Sequence, residues 1–337
     1  MKKIILLVFC CFLFSACHSK IESNEKLESN AFIFSAQKED TNDYLYAKSI
    51  HRMWKDTLSE IPIDFHTDSK GAVSAIDEIE QGLCDIAIGN ALAAKWAEKE
   101  GLFGKEPVKN VRAIAGGLAW ENLNIFFTQK FVDETEITTI EQIAEQKYPV
   151  RLAVKQKGTF SELSAEKLFE VLEIDFETLQ SWGGKIIYVD SEKEIVSLLN
   201  EGKADIVINS VTENHEGTRR LCLETELYFP QLKDSTIQKL ESIGYSSTMI
   251  YKNTWTGQKE NISTVMSPLV LLVSADIPNE TVYKLTKNMN QITTWTEIDR
   301  DLQFDFETTS SLTGIQLHEG ALQYYKDFGW EPLENYF

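Results

Sequence analysis

The stretch best equipped for chemistry is Lys157-Gly158-Thr159-Phe160-Ser161-Glu162. Strand-forming residues lead into Gly158, and the Thr159-x-x-Glu162 spacing fits a capping box that opens a helix. Backbone N–H groups and the positive end of a helix make such a turn a site for an anion. Gly158 lets a ligand approach the backbone, while Thr159 and Ser161 add hydroxyls. A plain N-cap without a ligand has the same chemistry, so the motif leaves both readings open. If φ at Gly158 is ordinary, Gly158→Val is expected to block that approach and spare the fold.

Catalytic patterns are missing from the rest of the chain. No Ser or Cys nucleophile comes with a recognisable activating partner, and the five histidines show no metal-ligand spacing. No enzyme activity, metal or cofactor is expected. His318-Glu319-Gly320 near the C-terminus reads as a turn, with Gly320 permitting it. Tyr324, Tyr325 and Phe328 follow at helical spacing, and such aromatic stripes are usually core. Residues 317–337 therefore read as a helical segment packed on the body.

The elements that must position the Gly158 turn alternate between strand and helix. Strands are expected at 31–36, 63–67, 111–117, 150–155, 185–189 and 205–209, and a buried strand within 268–278. Helix starts are marked by Thr138-x-x-Glu141, Thr159-x-x-Glu162 and Ser191-x-x-Glu194. Tyr46, Ile50, Met53 and Trp54 fall on one helical face, as do Val282, Leu285, Met289 and Ile292. One unit occurs twice: Ile76–Asn90, "IDEIEQGLCDIAIGN", and Val196–Ser210, "VSLLNEGKADIVINS". Each is a helical pattern, a glycine suited to a left-handed cap, two residues, then Asp-Ile-x-Ile. The alternation predicts an α/β protein of two lobes, each with a parallel or mixed sheet flanked by helices. Open α/β sheets bind ligands beyond the carboxyl ends of their strands, so the two lobes would point binding loops at each other.

Residues 1–17 read as a targeting segment: Lys2 and Lys3, an apolar run from Ile4 to Phe14 too short for a permanent span, then "LFSAC". Leu13 to Cys17 resembles a bacterial lipobox, with Phe14 where an aliphatic residue is usual; an ordinary signal peptide cut elsewhere is the alternative. Residues 18–29 are polar and read as a tether. Cys84 and Cys222 remain beyond the leader; export permits a disulfide between them, and their apolar surroundings favour buried free thiols. Lys and Arg number 33 against 52 Asp and Glu, a formal net charge of −19. Such a surface repels nucleic acid and anionic headgroups.

Taken in order, "EQGLCDIAIGNALAAKWAEKEGLF" (80–103), "VKNVRAIAGG" (108–117), "SADIPNETVYKLTKNM" (274–289) and "LHEGALQYYKDFG" (317–329) are similar to the TAXI branch of TRAP-transporter solute-binding subunits. The resemblance implies a two-lobed periplasmic binding-protein fold of type II. It implies a ligand enclosed between the lobes and delivered to a TRAP-type membrane permease. Lobe 1 is expected to comprise 30–122 and 223–316, and lobe 2 residues 123–222. The expected function is capture of a small organic anion, an amino acid or other carboxylate, by an exported protein lipid-anchored to the cell envelope. A sensor subunit presenting ligand to a membrane receptor is the alternative on the same fold. Expected ligand contacts are Gly158, Thr159 and Ser161, with Asn90, Asn209 and Ser210 at the ends of the two repeated strands. Two family loops differ here: "SAQKEDTNDYLY" lacks glycine, and "DSKGAVSA" keeps only Gly71 with Ala72 and Ala75 at polar positions. First-lobe recognition is therefore expected to change, with Trp120, Glu121 or Trp255 lining the cleft and favouring a larger, more apolar carboxylate.

Cys17 is expected to carry the lipid. Metabolic labelling with a fatty-acid analogue should mark the wild type and not Cys17→Ser; equal labelling of both, or none of either, contradicts the reading.

Overall fold

The computed structural model describes residues 31–39, 41–290 and 309–330. Three parallel strands open the fold: β1 (Phe32–Ser35), β2 (Ile63–His66) and β3 (Ile86–Asn90). A second parallel set follows: β5 (Arg151–Lys155), β6 (Lys185–Val189) and β7 (Ile206–Val211). Two long strands, β4 (Val111–Thr128) and β10 (Ile262–Ser274), join the sets. The sheet order is β2-β1-β3-β10-β4-β7-β5-β6, so each set runs second-first-third and then meets an antiparallel long strand. The fold is α/β, of the expected class.

The duplicated unit has a structural cause. The Asp85 carboxylate accepts the Ile33 amide at the start of β1 at 2.8 Å, and Asp205 accepts the Arg151 amide at the start of β5 at 2.8 Å. In both sets the aspartate therefore fixes the entry of the first strand beside the third. Gly82 and Gly202 both take positive φ, +69° and +65°, as the cap before each aspartate requires. Asp205 also pairs with the Arg151 guanidinium.

Strands β4 and β10 run further than their sequence suggests. The expected strand at 111–117 continues to Thr128: its first half pairs with β10 and its second half, from Asn122, with β7. The two sets thus share continuous backbone at Glu121–Asn122 and at Met266–Ser267. The stretch 223–266 was expected with the first lobe. Instead β8 (Leu227–Tyr228) pairs with Phe127 and Thr128, and β9 (Ser246–Ile250) pairs with the first residues of β10. Trp255, Ile250 and Ile262 pack there against Phe126, Ala153 and Val189 of the second set.

Helices cover both faces. α1 (Asn42–Thr57) buries Tyr46, Ile50, Met53 and Trp54, which join α11 (Asn279–Asn290) residues Val282, Leu285 and Met289 over β1, β3 and β10. Ile292 lies outside the described residues. α2 (Ala72–Glu80), α3 (Ala91–Lys99) and α6 (Phe160–Val171) occupy the other core. α5 (Ile140–Gln146) is capped by Thr139 with Gln142, one residue later than the Thr138-x-x-Glu141 reading. Glu141 instead accepts Lys233 N–H at 2.8 Å and Thr236 Oγ at 2.6 Å, capping α10 (Asp234–Ser242), which has no side-chain cap of its own.

Near the C-terminus, α12 (Glu319–Asp327) starts at His318, whose Nδ1 accepts Gly320 N–H. Gly320 serves close packing: a Cβ there would lie 2.2 Å from the Asn279 carbonyl at the start of α11. Tyr324 and Tyr325 are buried, whereas Phe328 remains 57% exposed and only its inner face meets Tyr324. Cys84 and Cys222 are buried free thiols. No helix among the described residues is long and apolar enough to cross a membrane.

Tyr325 anchors this segment by donating to the Ile114 carbonyl of β4 at 3.1 Å. Denaturant unfolding should show a loss of about 1 kcal/mol for Tyr325→Phe and about 3–5 kcal/mol for Tyr325→Ala.

Candidate functional site

One cleft gathers the loops at the carboxyl ends of both strand sets, around about 790 Å³ of space open to solvent. Gln37, Lys38, Thr41 and Asp43 reach it from the β1–α1 turn, Ser69 and Lys70 from the loop after β2, and Glu121 from β4. The opposite wall holds Lys155 and Gln156 at the end of β5, Thr159, Phe160 and Ser161 at the start of α6, Asp190 and Glu192 after β6, and Ser210, Val211, Thr212 and His215 at the end of β7 and beyond it. This is where a doubly wound sheet places its ligands.

A direct bond crosses between the walls. α2 has no side-chain cap because Gly71 stands at its N-cap, so its first amides need another acceptor. The Gly158 carbonyl supplies one, accepting Val73 N–H at 3.2 Å and Ser74 N–H at 3.0 Å. Gln156 adds a bond to the Lys70 carbonyl at 3.3 Å. Gly71 is extended (φ 162°), a conformation any residue adopts. Its lack of a side chain matters because a Cβ would lie 2.7 Å from the Gly158 oxygen.

On the second wall, Thr159 caps α6 by accepting Glu162 N–H at 3.2 Å. Phe160 and Ser161, in the first turn, line the cleft, so the positive end of α6 faces it. Ser161 Oγ ties this turn to β7, donating to the Ser210 carbonyl and accepting its N–H. Lys155 pairs with Glu192 at 2.5 Å, and His215 Nε2 stands 3.7 Å from the same carboxylate. Burial would raise Glu192, but Lys155 and His215 outweigh it and hold the group below the usual carboxylate value. His215 Nδ1 caps α9 (Glu216–Glu224) by accepting Thr218 N–H.

Glu162 behaves differently. Its side chain is wholly buried, and neither oxygen accepts a well-formed bond from a donor. Burial, then the facing Glu166 carboxyl, pushes it up to about 8, and Glu166 is raised by burial as well. A neutral Glu162 leaves the α6 N-terminus without a fixed negative charge of its own.

The first wall is acidic. Glu121 accepts Asn90 Nδ2–H at 3.0 Å. Asn90 is held in turn by Ser267 Oγ, 2.7 Å from its Oδ1, and by the Leu92 and Ala93 amides. Asp43, in the first turn of α1, accepts a bond from Gln37. Burial pushes Asp43 up to about 6; Glu121 lies well above the usual range from burial and from Asp43 beside it.

Of the expected contacts, Thr159, Ser161 and Ser210 line the cleft, while the Gly158 carbonyl is spent on α2. The φ of Gly158 is +92°, and a Cβ would lie 2.0 Å from Ser74 Oγ, so Gly158→Val would disturb the fold rather than only the site. Asn90 is buried beneath Glu121, and Asn209 is buried with its Nδ2 on Thr218 Oγ. Trp120 sits opposite Pro268 outside the cleft wall; Trp255 is buried, with its indole N–H on Asn124 Oδ1. Neither tryptophan is among the residues that line the cleft. Glu121 does reach the cleft. Asp43, Lys155, Glu192 and His215 were not singled out; Asp43 and Glu192 sit in the first turns of helices after strands, and that position was a legible signal.

The NMT1-like family model matches residues 39–329. The chain belongs to the NMT1-like family. No curated protein matches it. Solved structures similar to this NMT1-like chain include PhnD1 from Prochlorococcus marinus in complex with methylphosphonate (11% identity, 90% of this chain and 91% of that one, TM-score 0.49). MatC from Rhodopseudomonas palustris with bound malate is similar at 12% identity, over 82% and 89% of the two chains, with TM-score 0.49. A putative phosphate ABC transporter substrate-binding protein from Clostridium perfringens with bound phosphate gives 11%, 82% and 100%, and 0.44.

The buried Glu162 has a consequence for stability. Its ordinary value is 4.5 and its folded value about 8, so between these the folded chain holds a proton that the unfolded chain has lost. Stability should therefore fall as pH rises through that window. Thermal melts of Glu162→Gln should lose part of this dependence and gain relative to wild type above pH 8; an unchanged profile would contradict the assignment.

Proposed function

We propose that this chain is an exported, lipid-anchored solute-binding protein. It captures a small organic anion in the cleft for a TRAP-type permease, as a TAXI subunit does. The observation that carries the reading is the cleft itself: strand-end loops from both sets face one another and are bridged by the Gly158 carbonyl on α2. The two sets act as lobes that open and close where β4 and β10 pass between them. The anionic group of the solute sits against the first turn of α6, with the Thr159 and Ser161 side and Lys70 nearby. The "LFSAC" stretch supports the anchor, and the four ordered sequence stretches support the TAXI affinity.

The arrangement favours binding over turnover. His215, in the cleft wall, has one nitrogen committed to capping α9 and the other turned to Glu192. Neither cysteine reaches the cleft, since both thiols are buried and burial pushes them up.

A thermal-shift panel of small mono- and dicarboxylates tests the reading. A true solute at about 100 times its Kd adds about 2.7 kcal/mol of stability. Gly71→Ala should fold, because its backbone is ordinary, yet lose roughly tenfold or more in affinity, about 1.4 kcal/mol, because the added Cβ meets the Gly158 oxygen. No shift with any carboxylate, or unchanged affinity in Gly71→Ala, would overturn it.

A further inference from the structure

We propose that the cleft contains a second subsite, for a cationic nitrogen, built from Asp43 and Glu121 and completed by the Ser210 hydroxyl. It rests on the reading of the cleft as a solute site and narrows the solute to one carrying a primary ammonium or a guanidinium as well as a carboxylate.

Asp43 and Glu121 both line the cleft, and among the described residues neither is in an ion pair with Lys, Arg or His. Each has a single amide donor on one oxygen, Gln37 on Asp43 Oδ2 and Asn90 on Glu121 Oε2. The second oxygen of each carboxylate is left for the cleft. The two charges are near enough to raise each other's cost: Asp43 adds to the burial that pushes Glu121 up. Two partly buried carboxylates with no countercharge are stabilised by whatever cation enters between them.

Ser210 supplies an independent sign of an absent partner. It is only 3% exposed, it lines the same cleft, and its Oγ has no hydrogen-bond partner. Buried hydroxyls are ordinarily satisfied, so an orphan on a cleft wall marks a place where a ligand atom belongs. Leu123 is the register partner of Ser210 in the β4–β7 ladder. Side chains two apart on a strand share a face, so Glu121 projects to the same side as Ser210.

The donor set selects nitrogen over metal. Gln37 and Asn90 turn N–H groups to the carboxylates, and the Asn90 oxygen is committed to Ser267 Oγ and to the Leu92 and Ala93 amides. A hard divalent cation takes about six to eight oxygens, whereas an ammonium or guanidinium needs a few acceptors around its N–H groups. Among the described residues no group of three or more Asp, Glu, His or Cys is placed to hold a metal ion. The placement also explains the altered first-wall loop. The N-terminus of α1, which corresponds to the anion-facing start of α6, carries its own carboxylate, Asp43, in the first turn. Asp43 already offsets the positive end of α1, so a second anion gains little there, and the attraction for a cation comes from Asp43 and Glu121 together.

Calorimetric titration with isosteric pairs tests this. 4-Guanidinobutyrate against 4-ureidobutyrate, and γ-aminobutyrate against butyrate, differ mainly in the charged nitrogen, and neither neutral member carries an ammonium. The cationic member of at least one pair should bind about 10- to 100-fold more tightly, the range expected for hydrogen bonds to a charged group. Asp43→Asn/Glu121→Gln should erase that difference, the cationic member of each pair falling to the affinity of its neutral partner. Equal affinity within both pairs, with butyrate or 4-ureidobutyrate binding, overturns the cation subsite and leaves the anion reading standing. Binding of putrescine alone, with no carboxylate-bearing probe, sustains the subsite and overturns the anion reading. No binding by any probe overturns both. Saturable binding of calcium or magnesium that disappears in the double variant overturns the proposal in favour of a metal.

Discussion

Helix α2 begins without a cap of its own, and the geometry of the cleft follows from how that deficit is met. An orphaned pair of buried amides is costly, and here the acceptor is a carbonyl from the other strand set, at Gly158. The same contact requires glycine on both sides: Gly71 because the opposing backbone comes so near, Gly158 because its φ is +92°. Once these two turns meet, the β1–α1 and β5–α6 loops face each other across a narrow space. The cleft walls are then fixed by a few polar ties, with Ser161 holding α6 to β7 and Asn90 holding Glu121 to β3.

The two walls differ in charge although their topology is repeated. The second presents the positive end of α6, beside a Glu162 kept neutral by burial and by Glu166. Its other acid, Glu192, is compensated by Lys155 and His215. The first presents Asp43 and Glu121 without such compensation. A duplicated scaffold thus carries two walls of different charge.

Much of this was legible in the sequence where the cause is local. Gly82 and Gly202, Asp85 and Asp205, and the Thr159 cap each occupy a position that few residue types fill, so their roles appear in the pattern. The pairing of the stretch 223–266 was not legible because β8 and β9 are short and find their places only against β10 and β4, which no local pattern records. The lengths of those two strands were hidden for the same reason. The packing of Trp255 was not legible because an aromatic residue near a crossover packs as readily into a core as into a cleft. The Thr138-x-x-Glu141 reading fell one residue short because Thr139 with Gln142 forms the box, which frees Glu141 to reach α10.

The central proposal is that the bond from the α2 amides to the Gly158 carbonyl, formed in this structure, is a latch that a bound solute holds shut. Amide hydrogen exchange at Val73 and Ser74, followed with and without a saturating solute found in a carboxylate and amino-carboxylate screen, reads that latch directly. The account predicts that exchange at both amides slows markedly on binding, together with the amides of the α6 first turn. Exchange at Val73 and Ser74 that is indifferent to a saturating, confirmed ligand would contradict it.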